Sequence, residues 1–266
     1  MYLEHWGFQK FPFENVPDPD FFYLSKTHEE GLTRLIYAAK MRKGAAMLSG
    51  DIGCGKTTLT KVYVQKLSAE QFDIGLIINP KLEPLEFLQE ILYQLGMTDV
   101  PDSKGACLRL LNEKMTENAK AEKQTLLIVD EAQALDESSL EEVRLLLNFQ
   151  HNGHSLINVV LVGQPELRGK IKDMEQLEQR ISIKYHLTPF DQQDTARYIT
   201  FRQEKARGKE NVFTSVAMER IYEITEGVPR KINNLCDLSL LIGFSKKGKM
   251  IEPQVIEDIM SDGAIL

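Results

Sequence analysis

Apolar residues recur along this chain in two alternating rhythms. From His28 to Lys43 they fall at helical spacing (Leu32, Leu35, Ile36, Ala39), and the pattern stops at Gly44. That predicts a helix ended by the residue that most readily leaves one. The next run, AAMLSG, is short and apolar, a strand, and Lys56 to Leu67 returns to helical spacing. The alternation continues with a strand at Ile74–Asn79, helices from Leu85 to Leu95 and Ala106 to Ala119, and a strand at Thr125–Glu131. A helix from Leu140 to Phe149 and strands at Ile157–Gln164 and Ile181–Leu187 follow. Strands that are apolar throughout and separated by helices predict a parallel sheet covered on both faces. After Pro189 strands cease, and Thr195 to Arg207, Val216 to Thr225, Arg230 to Phe244 and Gln254 to Met260 all read as helices. The expected organisation is an arm over residues 1–27, an α/β domain over 28–189 and a helical domain over 190–266.

Composition sharpens this picture in two ways. With 42% hydrophobic residues the chain can bury a core without disulfides or metal. The three cysteines, Cys54, Cys107 and Cys236, lie far apart and form no metal-ligand pair. The net charge is −7, with 21 basic against 27 acidic residues before Pro189 and 11 against 12 from it onward. This excludes a polybasic nucleic-acid coat, whose affinity comes from excess positive charge. Local clusters remain as candidate DNA contacts: Lys40, Arg42 and Lys43; Arg202, Lys205, Arg207 and Lys209; Lys246, Lys247 and Lys249. Each such cluster is more often a solvated helix face or tail. The N-terminus carries acid and proline where a signal peptide needs a basic start and an apolar stretch. No apolar run approaches the roughly 18 residues of a spanning helix. A cytoplasmic protein without a membrane span is expected.

The strongest chemical signal is GDIGCGKT, Gly50 to Thr57, which matches G-x-x-x-x-G-K-[ST] between a predicted strand and a predicted helix. Backbone N–H groups of Gly50, Asp51, Ile52, Gly53, Cys54 and Gly55 can wrap phosphates, with the helix N-terminus adding a favourable dipole. Lys56 can reach the β- and γ-phosphates, the Thr57 hydroxyl can bind Mg²⁺, and Thr58 continues the helix beside them. The second signal is LLIVDEAQ, Leu126 to Gln133. A buried apolar strand ending in adjacent carboxylates is costly as packing alone. Asp130 can hold Mg²⁺ through water, and Glu131 can polarise the water that attacks a γ-phosphate. A glutamate directly after the metal aspartate belongs to ATPases of additional-strand order, and no N-K-x-D guanine-recognition motif occurs. ATP is therefore the expected nucleotide.

Other candidates stand at strand ends. Gln164 follows VVLVG and can orient the lytic water. Asn79 ends the second strand and can hold Glu131 when the site is idle. Both residues are also ordinary turn formers. Arg180 in QLEQRI and Arg230 in GVPR can contact phosphate or form surface ion pairs. The first 25 residues interleave Trp6, Phe8, Phe11, Phe13, Phe21, Phe22 and Tyr23 with Pro12, Pro17 and Pro19. Proline interrupts any regular helix there, so an irregular arm is expected, sealing a core edge or reaching a nucleotide base.

The set MYLEHWGF, PFENVPDPDFFYLS, GDIGCGKTT, DEAQAL, LEEVRLLLNF, VGQPELR, QLEQRI and GVPRKIN resembles the ExeA/GspA-type secretion ATPases, a branch of the AAA+ group. That branch is similar in turn to ATPases that assist transposases. The resemblance implies a P-loop NTPase AAA+ core with a five-stranded parallel sheet flanked by helices, a small C-terminal helical lid, and ATP bound between protomers of a homo-oligomer. It places Gln164 at the sensor-one position, Arg230 at the sensor-two position and Arg180 as an arginine finger, with Arg168 and Arg144 as alternates. It implies Mg²⁺-dependent ATP hydrolysis serving a secretion, pilus or envelope machine, peripheral to the inner membrane. A DNA-associated ATPase that recruits a transposase, and a nucleotide-stabilised scaffold that barely turns over, are the other readings. The complete set of Lys56, Thr57, Asp130 and Glu131 weighs against the scaffold. Secretion members typically continue into a membrane span and a periplasmic domain, whereas this chain ends at Leu266. A stand-alone form and a shortened chain both remain open. Cys54 stands where that family commonly has threonine.

Overall fold

The computed structural model describes residues 2–151, 153–208 and 210–263. In chain order the elements are α1 (Leu3–Trp6), α2 (Lys26–Lys40), β1 (Ala45–Gly50), α3 (Lys56–Lys66), β2 (Phe72–Ile77), α4 (Pro84–Gln94) and α5 (Lys104–Lys120). Then come β3 (Gln124–Val129), α6 (Glu137–Leu146), β4 (Gln150–His151), β5 (His154–Ser155), β6 (Ile157–Gly163), α7 (Glu166–Asp173), α8 (Glu175–Glu178) and β7 (Ile181–Leu187). The chain finishes with α9 (Gln192–Lys205), α10 (Ser215–Thr225), α11 (Pro229–Ser245) and α12 (Pro253–Ser261). Short 3-10 turns occupy Pro19–Phe21 and Ala132–Ala134. The described residues divide into two compact units: one of 27–52 and 59–187, the other of 1–26, 53–58 and 188–266.

The first unit is built on a five-stranded parallel sheet in the order β2-β3-β6-β1-β7. The five strands are the five that hydropathy predicts. β6 therefore lies between β3 and β1, with Val159 opposite both Leu127 and Ala45. This is the additional-strand order expected from the adjacent carboxylates. Alternate side chains on β1, β3 and β6 enter one core with helices α4 to α8, among them Met47, Leu127, Val129, Val159 and Leu161. The intervening Leu48, Leu126, Ile128, Val160 and Val162 are just as buried. Burial of both faces is why these strands read as apolar runs and not as alternating ones. The helices have recognisable starts. Pro84 opens α4 within a reciprocal Glu83–Glu86 capping box, and the Asp136 carboxylate caps α6 by accepting the Ser139 N–H at 2.7 Å.

The second unit is helical, and its core contains both the arm and helices α9 to α12. Trp6, Phe8, Phe13 and Phe21 are buried with Phe190, Tyr198, Ile232, Leu235 and Leu240. Trp6 Nε1 donates to the Leu240 carbonyl at 2.9 Å. Arg202 is buried in the same core, where an unpaired charge would be costly. Its guanidinium donates to the carbonyls of Pro12 (2.5 Å) and Glu14 (2.9 Å) and to the Tyr198 hydroxyl (3.2 Å), over the Phe21 ring. Arg202 thus leaves the candidate basic cluster of Lys205 and Arg207; Lys209 lies outside the described residues.

Three local differences from the sequence expectation have physical causes. β2 spans Phe72–Ile77, two residues earlier than the apolar run suggests, because pairing with β3 begins at Phe72↔Gln124 and ends at Ile77↔Val129. Asp73 tolerates that strand position because Asn118 donates to it at 2.8 Å and Lys114 pairs with it at 3.1 Å. The arm is also more regular than its prolines suggest: α1 precedes them, and Pro19 sits at the first position of its 3-10 turn, where no N–H is needed. Helices α7 and α8 and the β4–β5 ribbon were not foreseen.

Candidate active site

The phosphate-loop half starts where β1 ends, at Gly50. Asp51 and Ile52 are exposed, and α3 begins at Lys56. Gly53 and Gly55 take φ of +86° and +89°, a region strained for any side chain. Lys56 is 7% exposed and Cys54 fully buried, while Thr57 and Thr58 are half-buried. The GVPR turn meets this loop: the Arg230 N–H donates to the Gly53 carbonyl at 3.2 Å. A Cβ on Gly53 would stand 2.8 Å from the Arg230 Cβ, so only glycine permits that approach. Arg230 is the second residue of α11 and its side chain is exposed.

The carboxylate half stands at the C-terminal edge of the sheet. Asp130 follows β3, is 3% exposed, and extends the ladder by donating its N–H to the Ile77 carbonyl at 2.8 Å. Its Oδ1 accepts the Glu131 N–H at 2.9 Å. Glu131 is half-buried in a left-handed conformation, φ +52° and ψ +34°, which is sparsely populated for a residue other than glycine. Its Oε2 accepts Gln133 Nε2 at 2.5 Å and Gln164 Nε2 at 3.4 Å. Gln164 follows β6, so the central strand carries it to the same edge as Asp130.

The other sequence candidates have different surroundings. Asn79 lies two residues past β2 and is exposed, and the Glu131 carboxylate takes its side-chain bonds from the two glutamines instead. Arg180, just before β7, donates to Asn148 Oδ1 at 2.7 Å and to the Leu147 carbonyl at 3.4 Å. Arg144 is paired with Glu141 at 2.5 Å, and that hydrogen bond holds the Glu141 carboxyl below its ordinary value. Arg168 is exposed on α7. Gln133 and Lys170, which donates to the Gln133 and Leu135 carbonyls, were not singled out from the sequence. The signal for Gln133 was its position two residues after Glu131, within a turn.

A family model described as an AAA domain matches residues 39–171, half of the chain. The chain belongs to the AAA family. This AAA chain is 35% identical over 252 residues to General secretion pathway protein A of Aeromonas hydrophila, covering 92% of the chain and 45% of that relative. It is 29% identical over 153 residues to ATP-dependent target DNA activator B of Escherichia phage D108, covering 57% of the chain and 46% of that protein. The chain thus spans about half the length of these curated relatives. Among solved structures, the Aeropyrum pernix ORC2 protein superposes with a TM-score of 0.72 at 18% identity, over 97% of this chain and 73% of that one. At that identity the likeness concerns the AAA fold alone. Among the described residues, no helix is long and apolar enough to cross a membrane.

Proposed function

We propose that this AAA protein hydrolyses ATP in an Mg²⁺-dependent reaction, as a homo-oligomer that serves as a switch or motor for a secretion, pilus or envelope-assembly machine. The observation that carries the hydrolytic reading is the sheet edge: β6 sits between β1 and β3, and the Glu131 carboxylate there is hydrogen-bonded to Gln164. Lys56 and the N–H groups of the Gly50–Gly55 loop bind the phosphates. The donor set fits Mg²⁺, which takes hard oxygens from one or two side chains and from substrate phosphates. Thr57 would offer a hydroxyl and Asp130 a carboxylate to the ion, which when bound would supply positive charge against the phosphates. Glu131 takes the proton from the attacking water, and Gln164 orients that water. Arg230 contacts phosphate from the helical part, and Arg180 reaches the γ-phosphate bound by a neighbouring protomer once it leaves Asn148. Asn79, in the loop after β2, belongs with the nucleotide-binding residues and holds Glu131 when the site is idle.

The 35% identity to a general secretion pathway protein supports the envelope role. A second reading, a DNA-associated ATPase that recruits a transposase, is favoured by the likeness to a target DNA activator. Phosphate release from MgATP, followed over a range of protein concentrations, tests the first proposal. Specific activity should rise as the protein assembles, and no release at any concentration would reject hydrolysis. Salt-dependent binding of duplex DNA in the presence of ATP would favour the second reading, and no binding at low salt would remove it.

A further inference from the structure

Gln133, in the 3-10 turn after β3, has an amide with a single permitted orientation. Its Nε2 donates to Glu131 Oε2 at 2.5 Å, while its Oε1 accepts the backbone N–H of Gln164 at 3.0 Å. Flipping the amide would set an NH₂ against an N–H and an oxygen against a carboxylate, losing both bonds. The main chain is held as firmly, because Lys170 Nζ donates to the Gln133 carbonyl at 2.7 Å and to the Leu135 carbonyl at 2.8 Å. Space has been left for the same arrangement. A Cβ on Gly163, the last residue of β6, would stand 2.7 Å from Gln133 Oε1 and 2.9 Å from Leu167 Cδ2. The glutamate it grips has the left-handed backbone already noted, and such conformations persist where the surroundings over-determine them.

From these contacts we propose that Gln133 is a positioning residue for hydrolysis. It fixes one carboxylate oxygen of Glu131 and ties that carboxylate to the strand end that carries Gln164. The inference rests on Glu131 being the group that takes the proton from the lytic water. With Oε2 anchored at 2.5 Å, the carboxylate cannot turn about its own axis without breaking a charge-assisted hydrogen bond. Oε1 is then the oxygen presented to the water. Because the same amide accepts the Gln164 N–H, any shift of Gln164 toward substrate is passed to Glu131 through one side chain. The proton acceptor and the strand-end amide therefore change position together.

The test compares the parent with Gln133→Ala, Gln133→Glu, Gln133→Met, Gly163→Ala, Glu131→Gln and the Glu131→Gln/Gln133→Ala pair. MgATP turnover, KM, melting temperature and binding of a fluorescent non-hydrolysable ATP analogue are measured for each. Gln133→Glu keeps size and shape but removes the amide donor and sets a second carboxylate against Glu131. Gln133→Met, without donor or charge, is the variant in which a residue serving packing alone would leave turnover at the parent level. The expected loss in kcat for the Gln133 variants is about 10- to 100-fold, the strength of one hydrogen bond to a charged group, with KM and analogue affinity unchanged. Gly163→Ala should lose turnover in the same direction, because it displaces Gln133 without altering its chemistry. The double variant should be no slower than Glu131→Gln, since both losses act through one carboxylate. If a Gln133 variant melts well below the parent, Gln133→Met fills the same volume without a donor and replaces it. Turnover at the parent level in Gln133→Glu or Gln133→Met, or losses that multiply in the double variant, would overturn this inference alone. A parent that hydrolyses no MgATP would overturn the hydrolytic reading and this inference with it.

Discussion

Glu131→Gln separates chemistry from folding unusually well here. The substituted side chain can present its carbonyl oxygen where Oε2 now stands, so the bond from Gln133 at 2.5 Å survives with a neutral acceptor. The bond from Gln164 is long, at 3.4 Å, and adds little to the difference. Replacing a charged by a neutral acceptor in one good hydrogen bond costs about 1 kcal/mol of stability, from roughly 1.5–3 down to 0.5–1.5. In a chain of this size that lowers the melting temperature by only about 2–4 °C. Removing a general base costs far more where it acts, about 10²- to 10⁴-fold in turnover. The assay is phosphate release at saturating MgATP beside equilibrium binding of ATP, a thermal melt and light scattering. The expected result is near-parent melting and affinity, almost no turnover, and an ATP-bound oligomer that accumulates. Hydrolysis at the parent rate by a folded variant would refute the role given to Glu131.

Three further outcomes are expected. Lys56→Ala should lose affinity for ATP itself, read by titration with a fluorescent nucleotide; unchanged affinity would remove Lys56 from the phosphate site. If Arg180 acts on a neighbour, mixing Arg180→Ala with Glu131→Gln protomers should restore part of the activity that each lacks. No recovery at any ratio would leave Arg180 as the partner of Asn148 and nothing more. Trp6→Ala removes a ring that is 6% exposed together with its hydrogen bond to the Leu240 carbonyl, so it should cost about 3–5 kcal/mol in denaturant unfolding. A melt indistinguishable from the parent would show that the arm is peripheral to the helical core.

The centre of the sheet was legible because β1, β3 and β6 are buried on both faces, so they stand out as apolar runs. The helices between the strands gave their parallel sense. The strand order was legible for a chemical reason, the glutamate beside the aspartate at the end of β3. Boundaries were less so, and β2 shows why. Ile78 is apolar and extends the run, yet it is exposed, because backbone pairing with β3 ends at Ile77. That shift leaves Asn79 in the loop beyond the strand. At the carboxylate cluster the individual residues could be named, but not their partners. Gln133 reaches Gln164 across 31 positions, a pairing created by the β3–β6 neighbourhood, which no local pattern encodes. Arg202 was misjudged for a related reason. Its charge suggested a surface, while the carbonyls that neutralise it belong to the arm, 188 and 190 positions away.

The shared core of arm and C-terminal helices also sets an order of assembly during synthesis. Trp6 and its acceptor Leu240 are 234 residues apart. At roughly 5–20 residues per second, a ribosome needs roughly 10–50 s to make the second after the first. Through that interval Trp6, Phe8, Phe13 and Phe21 have no helices to bury them, while the strands of the sheet are completed one after another. A nascent chain therefore carries an aromatic segment whose helical partners have not yet been made. Within residues 1–266, the core shared by the arm and helices α9 to α12 can close only after α11 and α12 have been made.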